Sequence, residues 1–215
     1  QKPIIGINWQ GNPNTEKNNL TGRSIPLELF STIAKNHDCK FLSLQKGFGA
    51  EQLETCSFKD QFVQCQNQIN ETWSFLETAA IIANCELVIT SDTSVAHLAA
   101  GMGKTTWCLL HYVPDWRWGM RGETTFWYPS MKLFRQQEKN NWADVMKKVS
   151  IELKLLYSNK KNNSSMLFAP ISIGELFDKI TILQIKKEKI KGIKYNNVHK
   201  ELNHLNEVVK NNNLI

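Results

Sequence analysis

Five short apolar runs, each closed by a polar or glycine-bearing loop and each separated from the next by room for a helix, constrain this chain more than any other feature. They cover residues 2–9 (KPIIGINW), 40–45, 86–90, 105–110 and 131–135. Runs this short, apolar at successive positions and so on both faces, suit strands covered on both sides, which is the situation of strands in a parallel sheet flanked by helices. Helical spacing fills the gaps. Pro26 suits the first turn of a helix reaching about residue 36, residues 74–84 and 93–102 repeat apolar residues at helical intervals, and 142–157 reads as a closing helix. Strand and helix thus alternate, and the alternation predicts an α/β fold with a Rossmann-like, doubly wound parallel sheet. Residues 46–73 and the aromatic-rich stretch 111–130 show no clear period.

At 215 residues the chain is long enough for one ordinary domain and a smaller appendage. The composition changes at residues 158–165 (SNKKNNSS), where a polar run predicts a linker at 159–168 between a domain at 1–158 and a helical appendage at 169–215. In the appendage, residues 173–190 and 197–209 have helical apolar spacing and are expected to pair as a helical hairpin. Two amphipathic helices bury little area alone, so they are expected to pack on the first domain or on a second copy of the chain as a homo-oligomer.

The formal charge of +6 is uneven: residues 1–158 carry 16 Lys and Arg against 15 Asp and Glu, and residues 159–215 carry 10 against 5. A nearly neutral body without interleaved aromatic and basic residues argues against nucleic acid as a partner, and the tail reads as a solvated basic helix face. With 41% hydrophobic and 21% charged residues the composition is that of a globular protein. No apolar run approaches the ~20 residues of a membrane span. Gln1 leads directly into a strand-like run, so neither an initiator Met nor a signal peptide is expected and the N-terminus looks cut. Cys39, Cys56, Cys65, Cys85 and Cys108 form no CxxC pair and sit within or beside apolar segments. Reduced core cysteines, and hence a cytoplasmic location, are the expectation.

Ligands of open α/β sheets bind beyond the carboxyl ends of the strands, so the loops after residues 9, 45, 90 and 110 are the informative ones. After residue 90 comes Ser91-Asp-Thr-Ser-Val-Ala-His97, a strand running straight into a helix. The free N–H groups and hydroxyls of such a first turn suit a phosphate. Asp92, Thr93, Ser94 and His97 are therefore candidate ligand contacts, with Thr93 and His97 on one face. The plainer alternative makes Asp92 a helix cap and His97 a packed histidine. Lys46, at the end of the second strand run, and Arg23, at the end of the first long loop, would each bring a cation to the same anion; ordinary solvated surface cations are the alternative. Asp115, Trp116 and Arg117, with Trp118, form a loop whose tryptophans suit either a ring-binding wall or core packing. Residues 101–105 (GMGKT) imitate part of a P-loop, but the pattern needs Gly at 98, where Leu98 stands. No complete GxGxxG and no metal-ligand spacing of His, Cys and carboxylates occurs, so no metal site is expected.

Several segments together resemble the heptosyltransferase-like glycosyltransferases of family 9, in the version found behind tetratricopeptide repeats in bacterial proteins. They are GINWQGNP (6–13), RSIPLELF (23–30), FLSLQKG (41–47), FLETAAIIANCELVITSDTSVAHLAAGMGK (75–104), HYVPDWRWGM (111–120) and FWYPSMKLFRQ (126–136), in the expected order over residues 3–157. The resemblance implies one half of a GT-B fold, the C-terminal domain that holds a nucleoside-diphosphate-sugar donor such as an ADP-heptose-like sugar. It further implies that Asp92, Thr93 and His97 form the DTxxxH element at the donor diphosphate, with Arg23 as the loop cation and Lys46 at the next strand end. Catalysis in the family is metal-independent and needs no cofactor beyond the donor, while the general base is expected to come from an acceptor domain outside these residues. No catalytic residue is assigned. Residues 169–183 (APISIGELFDKITIL) resemble the start of a short helical domain of bacteria that brings no known chemistry. Glu175 and Asp178 there suit the macrodipole of a helix start. The alternative function is an inactive GT-B-like scaffold that self-associates through its basic helical tail, in which case Trp116 or Trp118 is expected to plug the donor cleft.

Overall fold

The computed structural model describes residues 2–14, 16, 22–163, 173–191 and 193–211. Five strands, β1 (Ile4–Asn8), β2 (Lys40–Ser43), β3 (Leu87–Ser91), β4 (Thr106–Leu110) and β5 (Met131–Arg135), form one sheet in the order β2-β1-β3-β4-β5. Every pairing is parallel. This is the Rossmann-like α/β arrangement that the alternation predicts. Parallel strands need crossovers, and α1 (Ser31–Asn36), α3 (Phe75–Ala83), α4 (Ser94–Gly101) and α5 (Trp142–Asn163) flank the sheet.

The pleat sorts the apolar runs onto two faces. Ile5, Ile7, Leu87, Ile89, Trp107 and Leu109 point to one side, into a core shared with Ile33 of α1 and with Trp142, Val145, Met146, Val149 and Leu153 of α5. Those α5 positions follow helical spacing, so one stripe of the helix covers the sheet. On the other side Leu42, Leu44 and Val88 pack with Ile82, Val95 and Ala99, while Cys108, Leu110 and Leu133 pack with Ala96, Ala100 and Trp118. The small residues of α4 let it lie close over β3 and β4, which brings the start of the helix to the sheet edge.

Residues 46–73, which carry no period, fold into two 3-10 turns (Ala50–Glu54 and Lys59–Gln61) and α2 (Gln66–Asn70). Side chains do the joining. The Gln66 amide accepts from the Ser43 N–H at 2.8 Å and donates to the Ser43 carbonyl at 3.2 Å, as a further strand residue would. Phe58 and Phe62 stack at 5.6 Å and both meet Phe41. Gly49 stands at φ +87°, a conformation strained for any L side chain, and a Cβ there would also press on the Gln10 side chain at 2.6 Å.

The chain divides into two compact units, Gln1–Lys161 and Asn162–Ile215. α5 continues to Asn163, into the stretch read as a linker, and residues 164–168 of that stretch lie outside the described residues. In the second unit α6 (Ile173–Lys189) and α7 (Ile193–Asn211) pair through Leu176, Ile180, Leu183, Leu202 and Val209. The second helix starts earlier than its apolar spacing indicates. Glu175 falls in α6 among residues whose side chains are outside the described set, and Asp178 lies on an exposed turn of that helix. All five cysteines are free, and four are buried; Cys65 is exposed, contrary to its reading as a core residue, because α2 presents it outward from its N-terminal end. Among the described residues no helix is long and apolar enough to cross a membrane.

Candidate functional site

The carboxyl ends of β1, β2 and β3 meet around two buried amides. Asn8, the last residue of β1, accepts from the Thr93 hydroxyl at 2.9 Å and the Thr90 hydroxyl at 3.3 Å, and donates to Gln45 at 3.0 Å. The Gln45 oxygen also accepts from the backbone N–H groups of Trp9 (3.1 Å) and Gln10 (3.0 Å), and its NH2 donates to the carbonyls of Gln10 (2.9 Å) and Phe48 (2.7 Å). Gln45, only 3% exposed, thereby joins the loops after β1 and β2, and Asn8 joins both to the start of α4. Sequence reasoning missed both residues. Their signal is a polar amide at the end of an apolar run, which reads more readily as the end of a strand.

These loops enclose a cleft of about 270 Å³ lined in part by Asn8, Gln10, Lys46, Trp73, Thr93 and Ser94. That volume is near the lower end of the ~300–1,000 Å³ of small-molecule sites. α4 opens onto it. Its N-cap is Thr93 in extended conformation, and no side chain caps the helix, since the Thr93 hydroxyl is turned to Asn8. Asp92 does not cap it either: its backbone carbonyl accepts from Arg23 at 3.4 Å. Ser94 and Val95, the first two residues of α4, line the cleft, and Ser94 is exposed. Phe48, Trp73 and Phe75 stand at its rim as exposed aromatic rings.

The two expected cations are held by the protein. Lys46 lines the cleft, but its ammonium donates to the Ile69 carbonyl and, at 3.3 Å, to the Thr72 hydroxyl. Burial lowers its pKa, against the opposing pull of Glu77. Arg23 pairs with Glu16 at 3.4 Å and lies across the loop after β1, so close that a Cβ at Gly11 would stand 2.7 Å from its guanidinium.

A second group of polar residues gathers around His97, in the first turn of α4. His97 meets the Tyr128 hydroxyl through Nδ1 at 2.9 Å and stacks on Trp118 at 5.3 Å. Asp115 caps the turn Trp116–Trp118 by accepting from the Arg117 N–H at 3.0 Å, and its carboxylate pairs with the Arg117 side chain at 3.1 Å. In this 3-10 turn Trp118 goes into the core at 3% exposure, whereas Trp116 points out at 77%. Neither lines the cleft. His111, which follows β4 and is buried, also escaped sequence reasoning. The Asp92 carboxylate favours the charged form of both His97 and His111, against the larger effect of their burial. Among the described residues no group of three or more His, Cys, Asp or Glu is placed to hold a metal ion. A larger groove of about 470 Å³ runs along β5 and α5. Its charges are largely satisfied within the protein: Lys132 pairs with Glu152 and Glu123, and Arg135 donates to the carbonyls of Trp118, Gly119, Arg121 and Gly122.

The buried titratable groups predict how stability depends on pH. Burial holds the imidazoles of His37, His97 and His111 below the usual range. Their unfolded forms therefore take up protons first, and stability falls as pH drops below about 6.5. Burial pushes the thiols of Cys39 and Cys85 up to about 11, and raises that of Cys108 well above its ordinary value. Here the unfolded chain loses protons first, so stability also falls as pH rises above about 9. Urea unfolding midpoints are expected to form a plateau between these limits; a midpoint still rising from pH 6.5 down to 5 would contradict the assignment for the histidines.

The sequence matches no protein-family model and no curated protein sequence. Among solved structures, the chain is similar to a glycosyl transferase family 9 protein from Veillonella parvula, with 14% identity over 72% of this chain and a TM-score of 0.46. The match spans 38% of that protein's chain.

Proposed function

We propose that the Gln1–Lys161 unit is a glycosyltransferase component that binds a nucleoside-diphosphate-sugar donor, in the manner of the heptosyltransferase-like family its motifs resemble. One observation carries this reading: the start of α4 is uncapped by any side chain and opens onto a cleft at the carboxyl edge of the sheet. Free amides and the positive end of the helix suit a diphosphate, and the aromatic rim of Phe48, Trp73 and Phe75 suits a base. Asp92, Thr93, Ser94 and His97 belong to this donor site, with Lys46 and Arg23 as cations that a bound anion must draw from their protein partners. Asp115 and Arg117 lie within electrostatic reach of His97, and Trp116 belongs to the same turn. The departing nucleoside diphosphate is stabilised by oriented dipoles and cations without a metal ion or other cofactor. The acceptor and its general base belong to a separate domain. An ADP-heptose-like donor is the first candidate.

Calorimetric titration with ADP and with UDP is expected to show binding in the ~10–500 μM range, unchanged within about twofold by EDTA and weakened well over tenfold by Asp92→Ala together with His97→Ala. Failure of both nucleotides to bind removes the reading. A second reading, an inactive scaffold that self-associates through the helical tail, is favoured by the engagement of Lys46 with Ile69 and of Arg23 with Glu16. It requires no nucleotide binding and a dimer or larger species in sedimentation that is lost when residues 164–215 are removed.

A further inference from the structure

His97 is the fourth residue of α4, inside its first turn, and one of its ring nitrogens is committed: Nδ1 lies 2.9 Å from the Tyr128 hydroxyl. The ring stacks on Trp118 at 5.3 Å and 24°, and Tyr128 meets it edge-on at 5.7 Å and 65°. Trp118 is itself packed in the core with Ala96, Ala100 and Leu110, so the surface beneath the imidazole is fixed. Turning the ring over would break the Tyr128 contact. Among the described residues Nε2 has no hydrogen-bond partner.

The chemistry of the two groups decides which one donates. A phenol is a far stronger acid than the N–H of a neutral imidazole, and a bare imidazole nitrogen is a better acceptor than a phenol oxygen. The hydroxyl therefore donates to Nδ1, and the ring's own proton lies on Nε2. We infer that Tyr128 is a positioning residue that holds His97 as the Nε2-protonated tautomer, so that His97 meets a ligand as a neutral hydrogen-bond donor and neither as a cation nor as a base.

The surroundings agree. Burial disfavours the imidazolium, Arg117 acts in the same direction, and Asp92 and Asp115 oppose them without reversing the result. Trp118 and Tyr128, the rings packed against it, bring no charge. The positive end of α4 adds to the effect, and a neutral imidazole kept so at a helix start is an established way to polarise an oxygen. A neutral N–H here suits an oxygen of the diphosphate or of the glycosyl group; this last step rests on the donor-site reading above.

The test uses the whole chain labelled with 15N-histidine. Long-range proton–nitrogen correlations at pH 7.5, with His97 assigned by its loss in His97→Gln, are expected to show the Nε2–H pattern. Tyr128→Phe removes a hydrogen bond to the neutral form, which should shift the His97 pKa upward by about 0.5, with the titrations of His37 and His111 unmoved. An Nδ1–H pattern in the wild type, or a His97 pKa that is unchanged or lower in Tyr128→Phe, overturns the inference. Binding supplies the second measurement, because a glutamine amide can place an N–H near the Nε2 position. His97→Gln should keep ADP or UDP affinity within about threefold while His97→Ala loses about tenfold; equal losses overturn the donor role. If the wild type binds neither nucleotide, the donor-site reading falls, and the tautomer and pKa results still decide the role of Tyr128.

Discussion

Ser94→Asp is expected to leave the fold as stable as the wild type or slightly more so, and to weaken nucleoside-diphosphate binding by about 30-fold. The two effects have opposite signs for one physical reason. Ser94 is the first residue of α4, it is exposed, and no side chain caps the helix above it. A carboxylate there meets the positive end of the macrodipole, a gain of about 0.3–1 kcal/mol. The same carboxylate would stand in the cleft proposed for the diphosphate. Like charges about 4 Å apart repel by ~4 kcal/mol at an effective dielectric constant of 20, and screening in an open cleft leaves roughly half of that. About 2 kcal/mol corresponds to about 30-fold in affinity. Urea unfolding and calorimetric titration of the same preparation measure both. Affinity unchanged in Ser94→Asp would mean that the diphosphate lies elsewhere.

How much of this was legible in the sequence follows from which interactions leave a period behind. β3 is buried at each of its five positions, and a strand covered on both faces must be an unbroken apolar run, so it could be read directly. α5 presents Trp142, Val145, Met146, Val149 and Leu153 to the sheet, and that stripe announces a helix. Residues 46–73 are held instead by Gln66 on Ser43 and by the packing of Phe58 and Phe62 against Phe41. Such contacts join positions about 20 residues apart and leave no repeat.

The site divides in the same way. That a polar strand-to-helix junction stands at residues 91–97 is local information. The partner that Lys46 takes is not, because the Ile69 carbonyl is offered by a helix 23 residues further on. Trp116 and Trp118 look alike in sequence, yet the 3-10 turn sends one outward and the other beneath His97. Tyr128, which completes the His97 contact, is 31 residues from its partner, in a stretch without regular spacing.

Gln45→Leu should show the opposite behaviour to Ser94→Asp, losing stability and binding together, with a cost of about 3–5 kcal/mol. Leucine fills similar space but leaves the N–H groups of Trp9 and Gln10 and the amide of Asn8 without their acceptor, and the carbonyls of Gln10 and Phe48 without their donor. Each buried orphan costs about 1–3 kcal/mol. Gln10 is only partly buried and Phe48 is exposed, so water can reach some of these groups and two or three determine the total. A loss of this size is a large part of the ~5–15 kcal/mol by which domains are stable. Asn8, freed from Gln45, would hold Thr93 less firmly, and the start of α4 would lose its register with the cleft. Gln45→Glu separates the two halves of the contact. It keeps the acceptor oxygens for Trp9, Gln10 and Asn8 but turns a carboxylate oxygen toward the carbonyls of Gln10 and Phe48. Protonation would restore a donor, and burial against two carbonyls raises the introduced carboxyl's pKa above its unfolded value, so the deficit of Gln45→Glu relative to wild type should shrink as pH falls towards about 4.3, whereas that of Gln45→Leu should not change with pH. Urea unfolding of the three proteins at pH 4.5 and 7.5 measures this, and equal deficits for Gln45→Glu at both values would show that the two carbonyls do not depend on the Gln45 amide.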